Sequence, residues 1–396
     1  MTAIVSIGTY LPTWGTAQGR VPGPDEDAVT LAVDAGRMAL TDVDASTVRR
    51  VVFVSRDLPL FEGGNGAPLL AGLGLGEDIE IVEQIGGAPA VLDAITGAAD
   101  GTLVVAADLA PAGAAAAMVG AEGTQITGLG RVVRSLPIQT RGRDGLVRNY
   151  QDPRLESVVG HASAVERLAL ADKPDVVAGT SVKGAAAFVD GKPPVLPVTG
   201  ASSAIFALAA LTELGTGGTV LALEQASASA AHVADAPVVH RDEVPFQDPL
   251  RLTETPGPDI AISLAAYERA FESKVRWDAG ACDACGTLAL PPRARCLSCG
   301  SESGWSYAPL PRSGEVYSGV TIHVPVPGLP TPYSLAIVSL DGVDVRALVK
   351  VTGVAAGTTE IGDRGTMVLR RVAVRSGVPD YSYALRPDAA LEGGTR

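Results

Sequence analysis

All four cysteines of this 396-residue chain fall within 18 residues, as Cys282-x-x-Cys285, ten intervening residues, then Cys296-x-x-Cys299. Each CxxC turn can aim two thiolates at one ion, and two such turns complete the tetrahedral shell of structural Zn²⁺. Gly286 and Gly300 follow the pairs closely, where a knuckle turn needs a permissive backbone. Two disulfides or four free thiols are the competing readings, and iron is compatible with an S₄ site. The clustering favours zinc, because a large secreted protein spreads its disulfides along the chain. A closed Cys₄ shell leaves no position for substrate. The expected metal is therefore structural, fastening a ribbon too small to hold itself together.

The rest of the chain supplies the setting. Its length suggests two or three domains. Thirty-one basic and 44 acidic side chains give a net charge of −13, which opposes a general nucleic-acid binder. Aromatics are 4% of the residues, so the core must be built from Ala, Val, Leu and Ile. Charged residues or prolines interrupt every apolar run, which excludes a membrane-spanning helix. The opening MTAIVSIGTYLPTW lacks the basic and apolar regions of a secretory signal, so a cytoplasmic location is expected.

Residues 1–240 alternate apolar β-rich runs with Ala-rich helical stretches. Strands are expected at 51–55, 79–82, 102–106, 175–178 and 219–223, and helices at 25–40, 88–99, 158–171 and 200–214. Such alternation specifies an α/β fold with a covered sheet. It divides into two similar halves, about 1–110 and 111–240. The Ala/Gly/Ser-rich stretch from Gly200 suits a central buried helix. A polar, Pro-bearing stretch at 241–258 reads as a linker, and 259–305 as a helix followed by the metal ribbon. Alternating strands with Gly and Pro turns at 306–396 indicate a small β-barrel.

These stretches carry two resemblances. YERAFESKVRW, CDACGTLALPPRARCLSCGS and GEVYSGVTIHVPVPGLPTPYSLAIVSLDG, within 259–396, resemble the zinc-ribbon and OB-fold proteins that accompany thiolases. That resemblance implies acyl-CoA binding or docking on a thiolase-type partner. IVSIGTYLPTW, DEDAVTLAVDAGRMAL, EQIGGAPAVLDAI, GTLVVAAD and TGASSAIFALAALTELGTGGTVLAL resemble the thiolase superfamily, nearest its hydroxymethylglutaryl-CoA synthase and ketoacyl synthase III branch. It implies a five-layered αβαβα fold, here degenerate and shortened, and usually a dimer.

The departures bear on chemistry. The family places a nucleophilic Cys at the N-terminus of a buried helix, where the dipole lowers the thiol pKa. Gln84 and Ile85 stand at that point, and no Cys occurs in residues 1–281. The family's His aligns with Thr180 and its Asn with Val198. Gln84 cannot form a thioester, and Val198 cannot donate to an oxyanion. A non-catalytic scaffold or acyl-CoA-binding subunit is therefore expected, paired with a thiolase-type partner or with itself. The alternative is an active acyltransferase or C–C lyase using Glu83, Gln84 or Thr180 in place of a thiolate.

Other residues are candidate sites with competing structural readings. Arg131, Arg134, Arg141, Arg143, Arg148 and Arg154 form a basic run that could meet CoA phosphates, or be a solvated loop or dimer arm. Gly63-Gly64-Asn65-Gly66 lacks a following GK[ST] and reads as a turn. Glu26 reads as a helix-start charge, His161 as structural, and Ser202-Ser203 as helix packing. His232 and His240 have no metal-ligand partners at suitable spacing.

Overall fold

The computed structural model describes residues 2–134, 136, 139–141, 146–150, 152, 154–215, 217–257, 263–324 and 327–391. One ten-stranded sheet carries the N-terminal unit. Its strands are β1 (Thr2–Leu11), β2 (Arg50–Val54), β3 (Glu80–Gln84), β4 (Thr102–Leu109), β5 (Ala112–Gly120), β6 (Thr124–Val132), β7 (Val176–Ala178), β8 (Gly218–Glu224), β9 (Ser227–Val233) and β10 (Val239–Glu243). The order is β7-β8-β9-β6-β1-β5-β4-β2-β3, with β10 parallel to the second half of β1. β1 is the fold line. Its first residues pair with β6, its later ones with β10, and its other edge with β5.

The sheet wraps around two helices, α3 (Ala88–Thr96) and α6 (Ser203–Leu214). One apolar core unites both helices with strands from both limbs of the sheet. Outside one limb lie α1 (Ala28–Ala39) and α2 (Gly66–Leu73), and outside the other α4 (Ala162–Leu168) and the single turn α5 (Val182–Ala185). The result is five layers, αβαβα, as the thiolase resemblance implies. α6 is almost wholly buried, and its Ser and Ala side chains let it sit between two strand layers. Gly8 shows how close the layers come: a Cβ there would overlap the α1 backbone at Ala35 and Ala39.

Two expectations shift. The stretch beginning the expected linker is still sheet, since residues 239–243 form β10. β5 falls inside the expected second half, yet pairs with β1 and β4 of the first. It reads AGAAAAMVG, all buried, in a strand that helix propensity alone would not select. The basic run leaves β6 and includes a small hairpin, Gln139–Arg141 with Val147–Asn149.

Helix α7 (Leu264–Phe271), continued as a wider helical turn to Arg276, leads to the ribbon strands β11 (Asp278–Cys282), β12 (Leu288–Ala289) and β13 (Trp305–Pro309). The barrel follows: β14 (Ser313–Ile322), β15 (Tyr333–Leu340), β16 (Arg346–Val351), β17 (Arg364–Arg375) and β18 (Val378–Pro387). It closes in the order β14-β15-β16-β18-β17, antiparallel except for β16 with β18. This is an OB-like barrel. Alternation sets its inside: Val316, Ala336, Val338, Ala347 and Val349 are buried.

Barrel and ribbon share one core with α1 and α2, including Trp277, Leu310, Leu369 and Tyr383. A buried polar cluster crosses the same boundary. Arg370 Nη1 donates to Asp34 Oδ2 at 2.8 Å, and its Nη2 lies 3.4 Å from Glu26 Oε1 and 3.2 Å from Tyr10 Oη. Tyr10 donates to Glu26 at 2.5 Å, and Tyr381 to Asp27, the N-cap of α1, at 2.8 Å. Burial pushes the Glu26 carboxyl up, while Arg370 and Tyr10 pull it down. Glu26 thus begins a helix region, as its position suggests, but serves as a buried partner of Arg370.

Candidate metal centre and the central helix mouths

The two knuckles of the ribbon are near copies. Gly286 N donates to Cys282 O at 2.8 Å, and Gly300 N to Cys296 O at 3.0 Å. Cys282 N donates to Thr287 O at 3.0 Å, and Cys296 N to Ser301 O at 2.9 Å. Both glycines sit at φ +73°, in the left-handed region that a side chain resists. All four Sγ atoms lie within 4.8 Å of one another. Cys282 and Cys299 are 3.8 Å apart, and Cys285 and Cys296 3.6 Å. A tetrahedron with metal–sulfur bonds of about 2.3 Å has edges of roughly 3.8 Å. The four thiols could therefore hold one metal ion in a closed shell.

The thiolase resemblance would place a nucleophilic Cys at the N-terminus of α3. Gly87 is the N-cap of that helix and is preceded by Gln84, Ile85 and Gly86, none of them a cysteine. A carboxylate lies there instead. Glu224 Oε2 accepts from Gly87 N at 3.2 Å, and Arg56 Nε pairs with Glu224 Oε1 at 2.5 Å. A Cβ on Gly87 would overlap that carboxylate.

The second central helix is closed in the same way. Asp108 accepts from Ala201 N at 2.7 Å, Ser202 N at 2.8 Å and Ser202 Oγ at 2.6 Å. Burial raises its pKa to about 6, against the pull of those hydrogen bonds. The two mouths are neighbours, joined by Ser55–Asp57. Arg56 serves Glu224, Ser55 Oγ donates to Ala107 O at 2.7 Å, and Asp57 accepts from Leu109 N at 2.9 Å.

A third helix repeats the device. Glu83 accepts from Gly66 N at 2.9 Å and from Asn65 Nδ2 at 2.6 Å at the start of α2. The Gly63–Gly66 segment is thus a turn closed by its own carboxylate, and Glu83 is committed to it. An anion at a helix N-terminus is stabilised by the aligned backbone dipoles. Here each such position holds an acidic side chain of the chain itself.

The sequence-singled residues are divided between the mouths. Gln84 ends β3, three residues before the N-cap of α3. Thr180 lies two residues beyond Ala178, the last residue of β7 paired with β8, and so falls on the Glu224 side. Val198 is fully buried against Gly113, beside the Asp108–Ser202 group. Ser203 Oγ accepts from Gly179 N at 2.9 Å, a packing bond rather than a nucleophile's setting.

Arg131 is exposed and lies 3.8 Å from Asp93, and Arg134 is exposed with its backbone tied to Ser227. Arg141 belongs to the small hairpin, and Arg143 lies outside the described residues. His161 is buried, 3.8 Å from Glu156, and burial lowers its pKa. His232 contacts Thr219, and His240 lies 3.4 Å from Asp42.

Glu224, Asp108 and Arg56 are the residues that sequence reading passes over. Their signal is a repeat: GTLVVAAD ends in Asp108 and GTVLALE in Glu224.

Comparison with known proteins bears on part of the C-terminal unit. Residues 307–370 match the family model of the ChsH2 C-terminal OB-fold domain. The matched segment begins within the last ribbon strand and runs through β14, β15 and β16 into the middle of β17. Among solved structures, a 3-oxoacyl-(acyl-carrier-protein) synthase III is 19% identical, over 59% of this chain and 99% of its own, with a TM-score of 0.47. A Xanthomonas campestris OleA variant is 16% identical, over 59% of this chain and 98% of its own, with a TM-score of 0.48. A structure described as an Ltp2-ChsH2(DUF35) aldolase is 28% identical, over 33% of this chain and 98% of its own, with a TM-score of 0.27. None of the curated proteins matches this chain. The N-terminal unit has thiolase-like αβαβα layering, and the barrel that follows it is similar over residues 307–370 to the ChsH2 OB-fold domain.

Proposed function

We propose that this chain is a non-catalytic thiolase-like and OB-fold subunit that binds acyl-CoA or scaffolds a separate, intact thiolase, ketosynthase or aldolase. The observation that supports this reading is the mouth of α3, where Glu224 accepts from the Gly87 amide at the point to which the thiolase resemblance would assign a nucleophile. A thiolate forms readily at a helix N-terminus because positive potential lowers its pKa. A carboxylate already bonded to the Gly87 amide cancels that potential. All four cysteines are meanwhile claimed by the ribbon, whose closed shell suits one structural Zn²⁺. Glu83, a candidate stand-in base, is held by Gly66 and Asn65.

On this reading the protein works in the cytoplasm on acyl-CoA of lipid, steroid or polyketide type. It associates with a thiolase-type partner or with a second copy. Arg131, Arg134, Arg141 and Arg143 are its proposed contacts for CoA phosphates. Among the described residues no helix is long and apolar enough to cross a membrane.

The test is to incubate the purified chain with acyl-CoA substrates and follow CoA release and acylated protein. No turnover is expected from the chain alone, and activity should appear only with a thiolase-type protein that co-purifies with it. Robust acyl transfer by the isolated chain would sink the reading.

A further inference from the structure

The stretch read as a linker is a strap across the junction of the two units. At one end Gly15 N donates to Gln247 O at 2.9 Å, and Gln247 N to Thr13 O at 2.8 Å. At the other, Thr253 and Thr331 exchange backbone hydrogen bonds of 2.8 and 2.9 Å, and Gly328 N donates to Thr255 O at 2.8 Å. Beside the strap lies a cleft of about 220 Å³. Leu250 and Leu252 of the strap, Leu329, and Val372 and Ala373 of β17 give it an apolar wall, and polar and charged groups share the rest of its lining.

Lys350 of β16 also lines this cleft. Its Nζ donates to Val372 O at 2.8 Å and stands 5.2 Å from the centre of the Tyr333 ring. Among the described residues that is its one hydrogen bond, although an ammonium carries three donors. Asp25, Glu254 and Arg371 are the other charged groups of the lining. Asp25 accepts from Thr352 Oγ1 at 3.1 Å, and its backbone carbonyl from Arg371 N at 2.8 Å. Burial pushes the Lys350 amine below its ordinary range, with Asp25 opposing the shift.

We propose that this cleft binds a short apolar chain ending in an oxygen acceptor, a carboxylate or an acyl carbonyl, and that Lys350 donates to that oxygen. Lys350 is half-buried, and an ammonium at the wall of such a cleft can exchange water for an acceptor brought by a ligand. Apolar walls with a few convergent polar groups, at the meeting of two folded units, are the usual make-up of a small-molecule site. At ~30 Å³ per water, the cleft has the volume of roughly seven waters. It holds a chain of a few carbons and leaves a nucleotide-sized group outside. The thioester source rests on the acyl-CoA reading above, whereas the carboxylate source does not.

The experiment is calorimetric titration of the full chain with hexanoate and, separately, hexanoyl-CoA, repeated on Lys350→Met and Leu252→Trp. Thermal unfolding of each variant checks the fold. Lys350→Met removes the donor, and Leu252→Trp fills the cleft from the strap. Both should weaken binding at least about tenfold with little change in thermal midpoint. Loss confined to hexanoyl-CoA assigns the thioester as source, and loss confined to hexanoate assigns the free carboxylate. Either supports the cleft. If hexanoyl-CoA binds and neither variant weakens the binding of hexanoyl-CoA or of hexanoate, the cleft is overturned while the acyl-CoA reading stands. Failure of both ligands to bind at millimolar concentration also overturns the cleft. If Lys350→Met does not fold, Leu252→Trp decides alone.

Discussion

Glu224 Oε2 accepts a hydrogen bond from the Gly87 amide at 3.2 Å, closing the N-terminus of the central helix α3. Its counterpart is Asp108, which closes the other central helix, α6. Both acids lie at the hairpin end of a strand, Asp108 on β4 before β5 and Glu224 on β8 before β9. Each half of the unit therefore supplies the carboxylate that caps the helix of the other. The positive poles of both helices, which could otherwise hold a thiolate or a phosphate, are used to hold the halves together.

Glu224→Gln should destabilise the chain by about 1 kcal/mol, because it removes a charge from a helix N-terminus and a partner from Arg56. Urea unfolding of Glu224→Gln, Arg56→Met and the double variant would measure the coupling. Both side chains are partly exposed, so an interaction of about 1 kcal/mol or less is expected. Strict additivity of the single effects would show that Arg56 does not help to hold the cap.

Asp108 titrates near 6 because burial disfavours its charge. A carboxyl whose folded pKa lies above its unfolded value, about 3.9, gives stability that is full at low pH. That stability is lost as pH rises through the folded pKa. The wild type should therefore lose stability relative to Asp108→Asn between about pH 4 and 6, by on the order of 3 kcal/mol, and the difference should level off above about pH 7. Unfolding free energies of both proteins across that range check it. A difference that stays constant with pH would contradict the raised pKa.

Legibility in the sequence followed the distance between partners. The metal knuckles were readable because all their determinants lie within 18 residues. Helix α1 was expected at 25–40 and spans 28–39, since Asp27 and Thr30 form a capping box that sets its start. β5 was not readable, because a run of alanines favours helix unless sheet neighbours claim it. The caps were hidden for a different reason: Glu224 lies 137 residues from Gly87, and Asp108 lies 93 from Ala201. The Arg370 cluster spans 336 residues to Asp34, and no local pattern foretells it.

That cluster should be the strongest lock between the two units. Arg370→Met would leave Glu26 and Asp34 buried without their cation, at a cost of about 3–5 kcal/mol. Arg370→Lys should recover only part of it, because a lysine cannot reproduce the guanidinium's separate contacts to Asp34, Glu26 and Tyr10. Guanidinium unfolding followed by tryptophan fluorescence reads the effect, since Trp277 stacks 4.9 Å from Tyr383 in the same shared core. A loss below about 1 kcal/mol in Arg370→Met would mean that apolar contacts alone hold the barrel in place.

Metal removal should act on the ribbon and spare the αβαβα unit. The shell lies among short strands, and the apolar core around α3 and α6 includes no ribbon residue, while Ala279 of β11 is the ribbon's buried member of the core shared with α1, α2 and the barrel. Purified protein should carry about one zinc per chain, and Cys296→Ser should carry far less, because three thiolates no longer close the shell. A strong chelator should then change the environment of Trp305 and Tyr307, which meet edge to face with ring centres 4.8 Å apart on β13 of the ribbon. The main unfolding transition should move little. Its enthalpy arises chiefly from the larger cores, whereas metal binding stabilises the segment that it closes. Metal content well below one per chain in freshly purified protein would rule out the structural centre. Collapse of the whole chain on chelation would show that the ribbon supports the thiolase-like unit as well.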